Sequence, residues 1–115
     1  MRRPIYFKAK CISDGSWVTG SYWHRNEGDF IIAGECKFAV SPSTVCQFTG
    51  QKDKNGVEVW EHDLLTNDGS IIYEVGYEDC GFKASLKGEN EFIYNLVAVC
   101  KYNYICGNKF DGKED

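Results

Sequence analysis

The feature that most constrains the fold of this chain is the stretch at positions 45–65, VCQFTGQKDKNGVEVWEHDLL, in which a polar, glycine-containing loop separates two apolar runs. Asparagine and glycine tolerate the positive φ angles of a primed hairpin turn, so Asn55-Gly56 predicts the tight corner of a β-hairpin. The apolar runs on either side would then be its strands. The centre of the chain therefore indicates antiparallel β-structure.

Short β-rich runs recur along the whole sequence, and no window carries a long apolar stripe with a 3.6-residue period. We therefore predict an all-β, mainly antiparallel fold. Pairs such as Asp14-Gly15 and Asp68-Gly69 mark the reversals between strands. The predicted strands are Ile5–Cys11, Ser16–Tyr22, Asp29–Ala33, Cys36–Val40, Val45–Thr49, Val57–Trp60, Asp63–Thr66, Ser70–Tyr77, Phe82–Leu86 and Phe92–Cys106.

Two of these runs allow an alternative. The last one is too long for a single strand and is expected to break near Cys100–Asn103. Its first part, Phe92–Val99, fits one face of a short helix about as well as it fits a buried strand. Trp60–Leu65, where two predicted strands meet, could alternatively form a helical turn with His62 and Asp63 exposed. The predicted β fold therefore leaves room for one short helix.

A length of 115 residues predicts a single domain. Ser41-Pro42-Ser43 is the best internal boundary, because proline removes a ladder donor and restricts the residue before it. We predict an N-terminal β subdomain over residues 1–43. Residues 44–110 would form a small SH3-like or related partly open β-barrel, and residues 111–115 a frayed tail.

Charge and hydropathy favour a cytoplasmic protein that avoids membranes. The formal net charge is -4, so the averaged field repels phosphate and anionic lipid. No run reaches the roughly 18 apolar residues of a membrane span, and the start lacks the apolar centre of a signal peptide. In that location we expect reduced thiols at the six cysteines, Cys11, Cys36, Cys46, Cys80, Cys100 and Cys106.

Glu61-His62-Asp63 is the cluster that most suggests catalysis, because a histidine beside carboxylates can serve as a general base in a hydrolase. On a strand, however, Glu61 and Asp63 would share one side and His62 would point to the other. This geometry favours a structural role, in which the carboxylates accept hydrogen bonds from turn amides. We therefore predict no catalytic residue and no cofactor.

A zinc site built from the cysteines with His24 or His62 is also a poor fit to the sequence. Structural zinc sites draw on cysteines spaced as C-x2-C to C-x4-C. The nearest pair, Cys100 and Cys106, is farther apart than that. We predict no metal site.

Exposed aromatic residues provide the candidate interaction surface, for which we select Trp17, Tyr22 and Trp23. Strand edges and aromatic surface are hard to cover in a small monomer, so we expect a homo-oligomer or an unidentified protein partner. The alternative is a single-stranded nucleic-acid binder of the small-barrel type, although the net charge disfavours nucleic acid. Its contact lysines would be Lys52, Lys54, Lys83, Lys87 and Lys101.

The central stretch FTGQKDKNGVEVWEHDLL resembles the signature of the YopX family of phage and prophage proteins. That signature has aromatic-Thr-Gly, a Lys-Asp-Lys-Asn-Gly turn, an apolar pair, and then Glu-Gly-Asp with aliphatic residues. PIYFKAKCISDGSWV and YICGNKFD are similar to the family's opening and closing segments. His62 stands where the family usually has glycine. The turn and structural positions that we single out are Thr49, Gly50, Asp53, Asn55, Gly56, Glu61 and Asp63.

The resemblance implies a mainly β, intracellular protein of a mobile element, and it supplies no catalytic residues to transfer. Together with the residues themselves it supports one hypothesis above the others. The protein would be a phage- or prophage-encoded, non-enzymatic β module that associates with itself or with another protein. A hydrolase that uses Glu61, His62 and Asp63 is the third hypothesis, after the nucleic-acid binder.

Overall fold

The computed structural model describes residues 6–78, 81–89 and 91–111, and the prediction of a mainly antiparallel β fold with one short helix is confirmed. Predictions for Ile5, for Cys80 and for residues 112–115 of the tail lie outside these ranges. The elements are β1 (Phe7–Lys10), β2 (Trp17–Arg25), β3 (Gly28–Ala33), β4 (Cys36–Val40), a 3-10 helix (Pro42–Thr44), β5 (Cys46–Lys52), β6 (Glu58–Trp60), β7 (Asp63–Thr66), β8 (Ile72–Glu78), β9 (Gly81–Leu86), β10 (Tyr94–Asn95), α1 (Leu96–Tyr102) and β11 (Tyr104–Asn108).

The chain divides into two compact units, residues 1–48 and residues 49–115. The predicted subdomain boundary at Ser41-Pro42-Ser43 stays a prediction. In the structure these residues begin the 3-10 helix, with proline in its first turn. Proline suits that position because its missing N–H has no intrahelical partner there.

The first unit is an antiparallel sheet in the order β4-β3-β2-β1, with the start of β5 beside β1. The sheet is strongly bent. A Cβ atom built on Gly20 would lie 2.1 Å from the carbonyl oxygen of Ile32, so only glycine permits this backbone approach. An isolated bridge joins Cys11 to Val40, which brings the end of β4 back to the end of β1.

Alternation along the strands separates the two faces of this sheet. The inner face carries the buried Ala9, Ile31 and Val40, with Val18 and Phe38 half-buried against them. Residues at the intervening positions form the outer face.

The second unit contains a sheet in the order β10-β9-β8-β7-β11, and the second half of β5 pairs with β6. Alternation along the predicted strand Ser70–Tyr77 predicts that Ile71, Tyr73 and Val75 share the inward face. Tyr73 and Val75 of β8 do pack into the core. Ile71, which was expected beside them, precedes the strand and is 55% exposed. The buried core comprises Val59, Leu65, Val75, Ala84, Leu96, Val99 and Cys100.

The run at 92–106 is broken, as its length predicted, and it contains a short helix at Leu96–Tyr102, where the sequence had allowed one at Phe92–Val99. It divides into β10, α1 and β11, because Asn95 caps the helix by accepting a hydrogen bond from the Ala98 N–H at 3.1 Å. Leu96, Val99 and Cys100, which share one helix face, then pack into the core. The described strands consequently form two sheets and no closed barrel.

None of the helices within the described ranges is long and apolar enough to cross a membrane.

Candidate functional site

The loop of the central motif is a hairpin turn of a different type from the one predicted. The Gly56 N–H donates to the Asp53 carbonyl at 2.9 Å, and the Asp53 N–H donates to the Val57 carbonyl at 2.8 Å. Gly56 has a φ of 81°, whereas Asn55 keeps a negative φ. The prediction of a primed turn at Asn55-Gly56 is therefore wrong: a β-turn over residues 53–56 ends on the left-handed Gly56, as in three-residue hairpin loops.

The Asp53 carboxylate ties this turn to a distant strand. Oδ1 accepts from the N–H groups of Asn55 and Val57, both at 2.9 Å. Oδ2 accepts from the Ile105 N–H at 2.9 Å, across 52 residues of sequence. Burial raises the pKa of Asp53, but the three backbone donors together outweigh it and hold that pKa below its ordinary value. This carboxylate is an ionised structural acceptor.

Asp63 has the same kind of role at the other end of the motif. It is 2% exposed; its Oδ2 accepts from the Trp60 N–H at 2.7 Å, and its Oδ1 accepts from the Asn108 amide at 2.9 Å. One oxygen closes the turn between β6 and β7, and the other holds β11. Both oxygens are engaged in structure, which does not suit a general base.

Glu61 and His62 form the tight turn between β6 and β7, which agrees with the predicted break between the strands Val57–Trp60 and Asp63–Thr66. The alternative of a helical turn over Trp60–Leu65 is wrong. His62 has a φ of 73°, a left-handed conformation that glycine adopts without cost. Its ring nitrogens lie 3.8 Å from Glu61 and 3.9 Å from Glu74, too far for hydrogen bonds. The ring instead packs edge-on against Phe110, with centroids 5.2 Å apart.

The remaining motif positions, Thr49 and Gly50, shape β5. The Thr49 hydroxyl donates to the Val59 carbonyl at 2.8 Å and accepts from the Gln51 N–H at 3.1 Å. Gly50 has a φ of 88° within the strand, which is typical of a β-bulge. Thr49 thus bonds the backbone of its own hairpin, whereas Asp53 and Asp63 also hold residues of the distant strand β11.

The cysteines in the described parts of the chain carry free thiols. Cys11, Cys36, Cys46, Cys100 and Cys106 are free cysteines. Burial, reinforced by the charges of Asp53 and Asp63, raises the pKa of Cys100 to about 12. That side chain is a neutral thiol at physiological pH. Within residues 6–78, 81–89 and 91–111, no three His, Cys, Asp or Glu side chains are placed to hold a metal ion.

A polar cluster that the sequence did not reveal lies at the β2–β3 hairpin. The buried Asp29 accepts from the Tyr22 hydroxyl at 2.9 Å and contacts His24 Nδ1 at 2.6 Å. The hydrogen bond with His24 is the main cause that lowers the pKa of Asp29, whereas burial, aided by the bond to Asp29, raises the pKa of Tyr22. Only the pairing of His24 with Asp29 across the hairpin would have indicated this cluster.

The outer face of the first sheet carries cations over aromatic rings. Arg25 lies 4.7 Å from the Trp23 ring centroid, and Lys37 lies 5.5 Å from the same ring and 4.9 Å from that of Phe30. Lys8 and Lys10 lie 4.6 and 5.4 Å from the Trp17 ring. The strand register places all of them on one face. We call this set the cationic aromatic face: Lys8, Lys10, Trp17, Trp23, Arg25, Phe30 and Lys37.

Two of the three predicted surface aromatics, Trp17 and Trp23, thus share a face. Tyr22 lies on the opposite one, with its ring 5.5 Å from Phe7. The lysines expected to contact nucleic acid lie elsewhere, in the second unit, on or beside β5, β9 and α1. Among them, Lys54 donates to the Asn67 side chain at 3.2 Å, and Lys101 lies 5.6 Å from the Tyr102 ring.

The fold and the central motif define a small antiparallel β protein in which the motif carboxylates join the turn to the closing strand. The chain belongs to the YopX family: the family model described as YopX protein matches residues 10–113. This confirms the resemblance drawn from the motif. A search of the curated proteins returned no match. The left-handed backbone at His62 explains why the signature usually has glycine at that position.

Proposed function

We propose that this protein is a non-enzymatic binding module that holds an anionic partner on the outer face of its first sheet. The cationic aromatic face carries the proposal. Arg25 and Lys37 supply exposed positive charge, while Trp23 and Phe30 beside them supply flat apolar surface. A surface with both attracts charged groups and buries the uncharged parts of the same partner.

The charge on this face has one sign. Strands β1 to β4 contain a single acidic residue, Asp29, and its side chain bonds with Tyr22 and His24 on the inner face. The strand positions of the outer face therefore include four cations and no carboxylate. A one-sign surface raises the local concentration of an oppositely charged partner and speeds its association.

The net charge of the whole chain conceals the positive charge of the first unit. Residues 1–48 contain six Lys and Arg and four Asp and Glu, a net charge of +2, whereas residues 49–115 contain seven and thirteen, a net charge of -6. The expectation that a net charge of -4 repels anionic partners therefore applies to the second unit more than to the first.

Retention of the full chain on immobilised heparin, a sulfated polyanion, tests the proposal. The double variant Arg25→Glu/Lys37→Glu should elute at clearly lower salt than the wild type. The control Lys87→Glu/Lys101→Glu changes exposed lysines of the second unit by the same net charge and should elute close to the wild type. Equal elution of the two variants, or no retention of the wild type, would count against the proposal.

A second candidate is self-association, which the opposite charges of the two units favour. The acidic second unit of one copy would occupy the cationic aromatic face of another. Sedimentation velocity should then show a dimer at low salt that dissociates at high salt and is absent in Arg25→Glu/Lys37→Glu. A monomer at low salt and micromolar concentration would remove this candidate.

A further inference from the structure

We infer that the anionic partner is a single-stranded nucleic acid, an inference that rests on the proposed function above. The order of side chains on β2 is the first observation that supports it. Trp17, Thr19, Ser21, Trp23 and Arg25 occupy alternate positions and so lie in one line on the outer face. The two tryptophans are six residues apart, about 20 Å along the strand.

These side chains complement the two repeating groups of a single-stranded nucleic acid, its bases and its phosphates. Unpaired bases present flat π surfaces that stack on aromatic rings, and phosphates accept hydrogen bonds from hydroxyl groups and from arginine. Thr19 and Ser21 are exposed between the tryptophans, and Arg25 is exposed beyond Trp23. Aromatic rings for stacking are therefore interspersed with hydrogen-bond donors for phosphate, over a length that several nucleotides would cover.

The neighbouring strands continue the pattern. Phe30 of β3 stands opposite Trp23, with ring centroids 6.0 Å apart, and Lys37 of β4 lies over both rings. An open face of a four-stranded antiparallel sheet, with aromatics beside cations, is a surface on which single-stranded bases stack. An acidic polypeptide such as poly-L-glutamate would engage the cations alone, whereas a single strand also presents bases that stack on an exposed ring such as Trp23, so the observations favour nucleic acid.

The test is a fluorescence titration of the full chain with a deoxythymidine oligonucleotide about 12 nucleotides long, a length comparable to the sites on small single-strand-binding folds. Binding should quench tryptophan emission and should weaken as salt rises. Lys37→Gln removes one phosphate contact, so the slope of log affinity against log salt should become less negative by about 0.7. Heparin, poly-L-glutamate and a duplex of the same length are titrated in parallel.

Two variants separate stacking from charge and from folding. Trp23→Ala should weaken oligonucleotide binding at least about fivefold, the lower end of what one stacked base contributes. Trp23→Tyr keeps a ring at the same place and should retain most of the affinity. Circular dichroism of both variants establishes that the sheet is intact, so a loss confined to Trp23→Ala reports stacking.

The outcomes distinguish this inference from the proposed function. Heparin or poly-L-glutamate binding as tightly as the oligonucleotide, with tryptophan emission unchanged, would overturn the nucleic-acid inference and leave the anion-binding face in place. Equal affinity for the duplex would also overturn it. Failure of every polyanion to bind would overturn both.

Discussion

Asp53 and Asp63 join segments of the second unit that are far apart in sequence, and each does so with a buried carboxylate. Asp53 accepts three backbone N–H groups, one of them from Ile105 on the closing strand. Asp63 accepts from Trp60 and from Asn108. The motif that carries the family resemblance is thus a folding motif, and its acidic residues are tested best by stability measurements.

Asp53→Asn should lower the free energy of unfolding at pH 7 by roughly 2 to 3 kcal/mol, because an amide replaces a charged acceptor and turns an N–H group toward backbone donors. Urea denaturation of the full chain measures this. A matched control is Asp111→Asn, which changes the same charge at an exposed position. A loss no larger than that of the control would contradict the structural role of Asp53.

The Asp53 carboxylate also predicts how the free energy of unfolding changes with pH in the acid range. Its pKa in the fold lies below the ordinary value, so the stability it contributes is complete above the unfolded pKa of about 3.9 and is lost as the pH falls through the folded pKa. The difference in stability between wild type and Asp53→Asn should stay constant from pH 7 to about pH 5 and shrink progressively below about pH 4. A difference unchanged at pH 3 would show that the fold does not lower the pKa of this carboxyl group.

His62 provides a paired test of backbone conformation. At a φ of 73° an alanine is strained and a glycine is not. His62→Gly should therefore be more stable than His62→Ala by about 1 kcal/mol. Both variants lose the contact with Phe110, so their difference isolates the backbone term. The opposite order in urea denaturation would show that residue 62 is not left-handed.

Among the elements, the strands could be predicted from sequence and the partners of their side chains could not. Alternating β-rich runs and glycine-containing turns indicated every strand from β1 to β9. The helix α1 was ambiguous, because apolar residues at 92–99 fit two periods and only the Asn95 cap and tertiary packing decide. The bond from Ile105 to Asp53 spans 52 residues, a separation that no local pattern encodes.

The cationic aromatic face shows the same limit. Trp17 and Trp23 share a face because their positions on β2 differ by an even number, which the sequence already indicates. Lys37 joins them only through the register of β3 with β4, and Lys8 only through that of β1 with β2. The sequence alone therefore does not indicate that the cations lie over the aromatic rings, because this depends on the pairing of β1 to β4.

A substitution at Gly20 tests the close approach of β2 to β3 in the first sheet. Gly20→Ala would place a methyl group 2.1 Å from the Ile32 carbonyl oxygen, so β2 and β3 must separate. We expect a loss of about 1 to 3 kcal/mol in the free energy of unfolding. Gly107→Ala is the control, because a Cβ there meets no atom within 4 Å. Equal stability of the two variants would contradict the close approach.

The molecule as a whole combines a basic first unit and an acidic second unit, and the proposed function assigns binding to the first. Its three tryptophans report on the two units separately. Trp17 and Trp23 belong to the cationic aromatic face, whereas Trp60 of the second unit is 7% exposed. Each indole N–H gives its own signal in a nitrogen-proton correlation spectrum of the full chain.

Titration of that spectrum with a heparin fragment tests the binding face most directly. The indole signals of Trp17 and Trp23 should shift, because sulfates that engage the cations alter the charges lying over both rings. The Trp60 signal should stay in place. A shift of Trp60 alone, or no shift at Trp23, would place the binding of anions elsewhere and contradict the account.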